Sequence, residues 1–103
     1  MNMIDYQTKA LTTCLPSSYC PEYLFSNLGA EAGEALSLYA KSVRKQTPVD
    51  LDALEGELGD VLWQVTVLAA YYGFSLEGIA YSNLEKLQSR KDRGVIVGSG
   101  DNR

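Results

Sequence analysis

Histidine is absent from this chain of 103 residues, and cysteine occurs only twice. The absence of histidine excludes every metal site with an imidazole ligand, including the Glu-x-x-His pattern of ferritin-like di-iron bundles. Cys14 and Cys20 are six residues apart and have no further thiol to work with, so they fit no familiar metal-binding spacing. We expect two free thiols in a reducing cytoplasm.

Long apolar runs are also missing. The first ten residues are too polar for a signal peptide, and the longest apolar region is too short to span a bilayer. There is no internal repeat, low-complexity block or linker. We therefore predict a soluble, cytoplasmic protein without a membrane partner, folded as a single domain over residues 1–103. A core of about 22–93 would precede a flexible tail at 94–103.

Positive charge is scarce overall, since the chain contains nine basic and thirteen acidic residues and has a net charge of −4. This balance disfavours general nucleic-acid binding, and we expect no nucleic-acid partner. The end of the chain has the opposite charge balance, because five basic residues and only two acidic residues follow position 85. A ligand that carries phosphates would suit this basic segment. Its basic residues are Lys86, Arg90, Lys91, Arg93 and Arg103.

Helical periodicity and capping residues predict an all-α fold of four helices. The helices are expected at about 3–14, from Pro21 to Lys45, between caps at Asp50 and Gly73, and from a cap at Ser75 to about Arg93. The second half of the third helix is apolar nearly all round and should be covered on more than one side, for which a dimer would serve. The residues expected to face inward are Leu24, Leu28, Ala35, Tyr39 and Val43 in the second helix; Leu54, Leu58, Val61, Leu62, Val65, Leu68, Ala69 and Tyr72 in the third; and Leu76, Ile79, Ala80, Asn83, Leu84 and Leu87 in the fourth.

Two pairs of acidic residues lie inside these apolar helices: Glu31 with Glu34, and Glu57 with Asp60. A spacing of three places both members of a pair on nearly one face. Two such helices side by side would bring four carboxylates together, where repulsion and burial favour either protonation or a bound cation. Because every ligand would be oxygen, the pattern favours Mg²⁺ or Mn²⁺ over Zn²⁺ or copper.

For any single one of these residues, a place at the edge of a solvated helix face is the plainer interpretation. The matched pairs favour the metal site, and so do the glycines that interleave with them. Glycine costs about 1 kcal/mol in a helix interior relative to alanine. Each of these positions would permit either close helix approach or access for a bulky ligand. The glycines are Gly29, Gly33, Gly56 and Gly59.

The acidic segments closely resemble the MazG-type nucleoside triphosphate pyrophosphohydrolases. The resemblance rests on Leu28-Gly29-Ala30-Glu31-Ala32-Gly33-Glu34, then Glu57-Leu58-Gly59-Asp60-Val61-Leu62-Trp63, and continues through Asn83-Leu84-Glu85-Lys86-Leu87 and Arg90. It extends from Leu24 to Arg93 and is looser in the N-terminal helix. It implies an all-α fold assembled as a homodimer or as a homotetramer that is a dimer of dimers. It also implies Mg²⁺-dependent hydrolysis of a nucleoside triphosphate to the monophosphate and pyrophosphate.

By the same resemblance, metal-ligand and catalytic roles fall on Glu31, Glu34, Glu57 and Asp60. Substrate-binding roles fall on Asn83, Lys86 and Arg90. Alternatives remain for each, because Asn83 can be a buried structural amide and the two cations can be a solvated helix end. Trp63 is the best candidate for stacking on a base, although aromatic residues of a buried helix are more often core.

Two other functions remain open. One is a phosphoribosyl-ATP pyrophosphohydrolase, which shares the carboxylate chemistry. The other is a non-catalytic helical module for nucleotide binding or dimerisation, which would keep the metal site for stability or sensing. For the tail at 94–103, the sequence allows a disordered end or a flap that orders on substrate.

Overall fold

A computed structural model describes all 103 residues and contains four α-helices and no strand, which confirms the predicted all-α fold class. None of the helices combines the length and the apolar character needed to cross a bilayer. The helices are α1 (Met3–Leu11), α2 (Pro21–Lys45), α3 (Leu51–Tyr71) and α4 (Leu76–Asp92), with a short 3-10 helix at Pro16–Ser18.

The predicted helix caps are confirmed. Pro21 is the first residue of α2, where its missing N–H costs nothing. The side chains of Asp50 and Ser75 each accept a hydrogen bond from a first-turn backbone N–H, at 3.1 and 3.0 Å. Gly73 follows α3 with a φ of +79°, in the left-handed region that glycine tolerates best. Local capping chemistry therefore determines where α2, α3 and α4 begin and where α3 ends.

The first helix is shorter than predicted, because it ends at Leu11 rather than near residue 14. Beyond that point the hydroxyls of Thr12 and Thr13 donate to the carbonyls of Lys9 and Ala10, at 2.6 and 2.7 Å. These side-chain bonds satisfy carbonyls that a longer helix would have used. The chain then turns into the 3-10 helix.

The most extensive packing in the chain joins α2 and α3, which form an αα-hairpin across residues 46–50. α3 also packs against α1, although less extensively, so that it has a second neighbour. Val67 and Thr66 are fully buried on α3, and Gln64 is nearly so. The two polar residues were not among those predicted to face inward, because periodicity alone does not show where α1 packs.

Several residues that were predicted to face inward are exposed in the single chain, so the prediction is wrong for them. On α3, Leu58 is 55% exposed and Leu62 45% exposed. Because α4 packs on the other helices mainly through a few contacts with α1 and α3, most of its apolar stripe is also uncovered. Asn83 is exposed as well, which corrects the prediction that it faces inward. The other exposed members of the predicted stripes are Tyr39, Val43, Tyr72, Ile79, Leu84 and Leu87.

The glycines among the acidic residues do not bring helices of this chain close together. A Cβ atom added at Gly29, Gly33, Gly56 or Gly59 would meet no atom within 4 Å. Close helix approach within the chain is therefore excluded at all four positions. The open space that they border is compatible with the second interpretation, which is access for a ligand.

Candidate metal centre

Three of the four predicted ligands converge between α2 and α3. Glu31, Glu57 and Asp60 each offer a carboxylate oxygen, and these oxygens lie within 4.8 Å of one another. Glu31 comes from α2 and the other two from α3, so the helix hairpin creates the cluster. Asp60 is exposed, while the glutamates are half-buried, so the cluster opens to solvent on one side.

The fourth predicted ligand, Glu34, stands beside this group rather than within it. It is exposed, yet its carboxyl group is close enough to Glu57 to affect the pKa of that residue. Burial raises the pKa of Glu57 above the ordinary glutamate value, and the charge of Glu34 raises it further. The structure therefore places all four carboxylates in one acidic region.

The pKa of Glu31 is also raised above the ordinary glutamate value. Burial is the main cause of its raised pKa, and the charges of Glu34 and Asp60 add to it. The side chain of Asn27, one turn earlier on α2, acts in the opposite direction as a hydrogen-bond donor. Burial raises the pKa of the Tyr6 phenol on α1, and the nearby charge of Asp60 raises it further.

The residues of this region fit a hard divalent cation. The Oε2 atoms of Glu31 and Glu57 are buried and have no hydrogen-bond partner. Unsatisfied buried carboxylate oxygens are costly, and a cation removes that cost. An all-oxygen set of carboxylates is the type that Mg²⁺ and Mn²⁺ prefer. The acidic cluster is compatible with a metal site on these grounds.

A pH-dependent response to Mg²⁺ follows. Because the pKa values of Glu31 and Glu57 are raised in the folded state, their protonated forms stabilise it. In chelator, we expect the melting temperature to fall as pH rises above the ordinary value of 4.5 towards neutrality. At neutral pH, Mg²⁺ at ten times its Kd should restore about 1.4 kcal/mol, or roughly 5 to 10 °C.

Differential scanning fluorimetry between pH 4.5 and 7.5, with Mg²⁺ and with chelator, measures both effects. The response to Mg²⁺ should shrink towards acid pH, where protons compete for the same oxygens. A response that is equal across this range would contradict the assignment.

The predicted substrate-binding cations lie together on α4, but both are engaged. The Nζ of Lys86 and the Nη2 of Arg90 donate to the same oxygen, Oδ1 of Asp101, at 3.0 and 3.1 Å. These hydrogen bonds, with that from Lys86 having the larger effect, hold the pKa of Asp101 below its ordinary value. Arg90 is buried, contrary to the alternative of a solvated helix end, whereas Lys86 is half-buried. The tail at 94–103 thus folds back onto α4.

The remaining predicted substrate residues lie in two different places. Asn83 shares with Lys86 an open groove of about 670 Å³ at the start of α4. Trp63 lies on the α1 side of α3, and its indole N–H donates to Thr13 Oγ1 at 2.7 Å. The ring is half-buried, so any contact with a base has to use its exposed part.

Three residues near these groups were not found from the sequence. Asn27 precedes Glu31 by four positions, so the helical spacing could have indicated it. Tyr6 and Asp101 are far from their partners in the chain, and no local signal points to them. Only the packing of α1 and of the tail brings them into place.

Two comparisons of the sequence with known proteins give matches. Residues 20–95 match the MazG nucleotide pyrophosphohydrolase domain. The chain is 47% identical over 85 residues to the Gene 37 protein of Mycobacterium phage L5, which covers 79% of this chain and 75% of the phage protein. No solved structure gives a significant match. Because the domain match includes the helices that carry the acidic cluster and spans most of the sequence, the chain belongs to the MazG nucleotide pyrophosphohydrolase domain family.

Proposed function

We propose that this protein is a Mg²⁺-dependent nucleoside triphosphate pyrophosphohydrolase. It hydrolyses a (d)NTP to the (d)NMP and pyrophosphate and acts in the cytoplasm, in nucleotide-pool control or house-cleaning. Family membership implies an activity of the nucleotide pyrophosphohydrolase type, and the specific substrate and metal are our proposal. The observation that carries it is the convergence of three carboxylates from two helices, with two buried oxygens that lack a partner.

The roles of the side chains follow from their chemistry. Glu31, Glu34, Glu57 and Asp60 would hold the metal, which would supply charge neutralisation and orientation of the phosphates. Water adds across the anhydride between the α and β phosphates, so that the monophosphate and pyrophosphate separate. A carboxylate of the cluster can accept the proton that the water loses. No covalent intermediate with the protein is needed.

Phosphate binding falls to the cationic side chains of α4. Lys86 lines the groove together with Asn83, and Arg90 lies one turn further along the helix. Ammonium and guanidinium groups bind phosphate oxygens through charge-assisted hydrogen bonds. Trp63 is proposed to contact the base with the exposed part of its ring.

Product identification by ³¹P NMR tests the proposal. The purified protein is incubated with each common NTP and dNTP and with phosphoribosyl-ATP, with Mg²⁺ and with chelator. Pyrophosphate and monophosphate that disappear with chelator would support it and rank the substrates. Orthophosphate and diphosphate would contradict it, and tight binding without any product would favour the non-catalytic module.

We also propose that the protein works as a homodimer or homotetramer. Its radius of gyration is 16.4 Å, whereas a compact chain of this length has about 13 Å. Its accessible surface is 7417 Å², against about 5,700 Å² for a folded monomer of this mass. The excess of roughly 1,700 Å² per chain is of the size that an obligate interface buries.

The exposed apolar residues of α3 identify the surface to test. We expect the wild-type protein to sediment as a dimer or tetramer and Leu62→Asp to shift it towards monomer, because a charge in an apolar contact is costly. Val97→Asp is the matched control, since Val97 is 98% exposed in the tail. A monomeric wild type, or equal behaviour of both variants in analytical ultracentrifugation, would contradict the proposed interface.

A further inference from the structure

The segment after α4 forms a loop with its own hydrogen bonds. We call residues 94–103 the tail loop. The guanidinium of Arg103 donates to the carbonyls of Val95, Ile96 and Gly100, at 3.0, 3.3 and 2.6 Å. Arg93 donates to the backbone oxygen of Arg103 at 2.6 Å. None of these bonds uses the Asp101 side chain, so the loop does not depend on the charge of Asp101 for its shape.

Asp101 is the acidic residue of the tail loop, and it binds two cations at once. Its Oδ1 accepts from Lys86 and from Arg90, and its backbone carbonyl accepts a further bond from Arg90 at 3.0 Å. The Arg90 side chain is 6% exposed, while that of Asp101 is 80% exposed. The carboxylate therefore closes off a buried cation from the solvent side. The carbonyl contact would hold Arg90 in place without the carboxylate.

One oxygen shared between an ammonium and a guanidinium is also a typical arrangement for a phosphate oxygen. Lys86 already lines the groove of about 670 Å³ with Asn83 and Ser82, so an anion in that groove would meet the same cation. Ion pairs with an exposed partner are weak in water. A polyphosphate carries several charges and can compete for these donors with a single carboxylate.

We propose that the Asp101 carboxylate is an internal counter-anion, which neutralises Lys86 and Arg90 until the phosphates of a substrate displace it. The proposal rests on the proposed function through the phosphate-binding roles of these two cations. The exchange requires the Asp101 side chain to rotate away, while the backbone contact to Arg90 persists. The substrate phosphates that replace the carboxylate then accept hydrogen bonds from two donors that are already in position. The ligand class is a polyphosphate anion.

Binding of inorganic tripolyphosphate, in chelator and at physiological ionic strength, tests the exchange without metal or hydrolysis. We expect Asp101→Asn to bind tripolyphosphate about three- to fivefold more tightly than the wild type in isothermal titration calorimetry, because the competing charge is removed. Lys86→Met should weaken binding about tenfold or more, since a charge-assisted donor is lost. Circular dichroism establishes that each variant is folded.

The matched control is Asp92→Asn, which removes one negative charge from the last turn of α4. Asp92 accepts a hydrogen bond from Gln88 at 2.9 Å and pairs with no cation. This variant should bind tripolyphosphate as the wild type does. Equal gains in Asp92→Asn and Asp101→Asn would reveal a general charge effect and overturn the exchange. Weaker binding by Asp101→Asn would overturn it too, because Asp101 would then help to position the cations.

An NMR titration of the wild type gives a second readout. Tripolyphosphate should shift the amide signals of Asp101 and Asn102, and unshifted signals at saturation would refute the displacement. If Asp101→Asn binds tripolyphosphate more tightly but no nucleotide is hydrolysed, the exchange stands and the proposed function fails. If nucleotides are hydrolysed but Asp101→Asn changes neither the tripolyphosphate affinity nor KM, the function stands and the exchange fails.

Discussion

Glu57→Gln is expected to lower kcat for nucleoside triphosphate hydrolysis by about a hundredfold or more. The substitution removes one of three carboxylates whose oxygens converge within 4.8 Å. Losing a metal ligand costs several kcal/mol of transition-state stabilisation, and each 1.36 kcal/mol is tenfold in rate. Steady-state kinetics at saturating Mg²⁺ and substrate measure the effect.

The same substitution should stabilise the protein in chelator. Burial and the charge of Glu34 disfavour the ionised form of Glu57, whose Oε2 has no partner. A neutral amide removes that repulsion, so the melting temperature should rise while activity falls. This opposition of signs separates a functional loss from a folding defect, which would lower both quantities.

Glu55→Gln is the matched control. Glu55 is exposed on the same helix, two residues away and outside the acidic cluster. We expect its activity to stay within about twofold of the wild type, as for surface substitutions away from special features. Activity of Glu57→Gln within fivefold of wild type would refute the metal site. If Glu57→Gln melts at a lower temperature than the wild type in chelator, the proposed charge repulsion between Glu57 and Glu34 is refuted.

Gln7→Ala is expected to destabilise the fold strongly, by about 2 to 4 kcal/mol. The amide of Gln7 makes three hydrogen bonds to distant backbone. Its Nε2 donates to the carbonyls of Thr66 and Phe74 at 3.2 and 3.1 Å, and its Oε1 accepts from the N–H of Leu76 at 2.9 Å. One side chain thus joins α1, α3 and the start of α4.

Chemical denaturation with circular dichroism gives the free energy of unfolding, and the melting temperature should fall by roughly 10 °C or more. Gln88→Ala is the control, because Gln88 bonds only to Asp92, four residues away on its own helix. We expect that change to cost about 0.5 kcal/mol or less. Similar losses in the two variants would show that the Gln7 contacts are not important for stability.

The helix ends could be predicted from sequence because their causes are local. Asp50 and Ser75 each accept a hydrogen bond from a backbone N–H three residues further along the chain. Gly73 itself adopts the positive φ of the turn after α3, which glycine tolerates best. The acidic pairs are local in the same sense, since a spacing of three places both carboxylates on one face. The family followed from the resemblance of these acidic segments to known sequences and from the domain match, and not from the spacing itself.

The faces that are buried could not be predicted in this way. Periodicity marks an apolar stripe on α3 but does not reveal which neighbour covers it. Leu58 and Leu62 belong to that stripe and are exposed, while Gln64 and Thr66 are buried. Asn83 differs from prediction for the same reason, because α4 packs loosely on the rest of the chain.

By itself, then, the sequence determined the all-α class, the helix caps and the presence of two carboxylate pairs, because each depends on residues within about one turn of one another. Tertiary structure alone decided that Glu31 meets Glu57 and Asp60, that Gln7 joins three elements, and that Asp101 binds Lys86 and Arg90. These contacts depend on how helices and the tail loop pack in space. Sequence spacing carries no information about that packing.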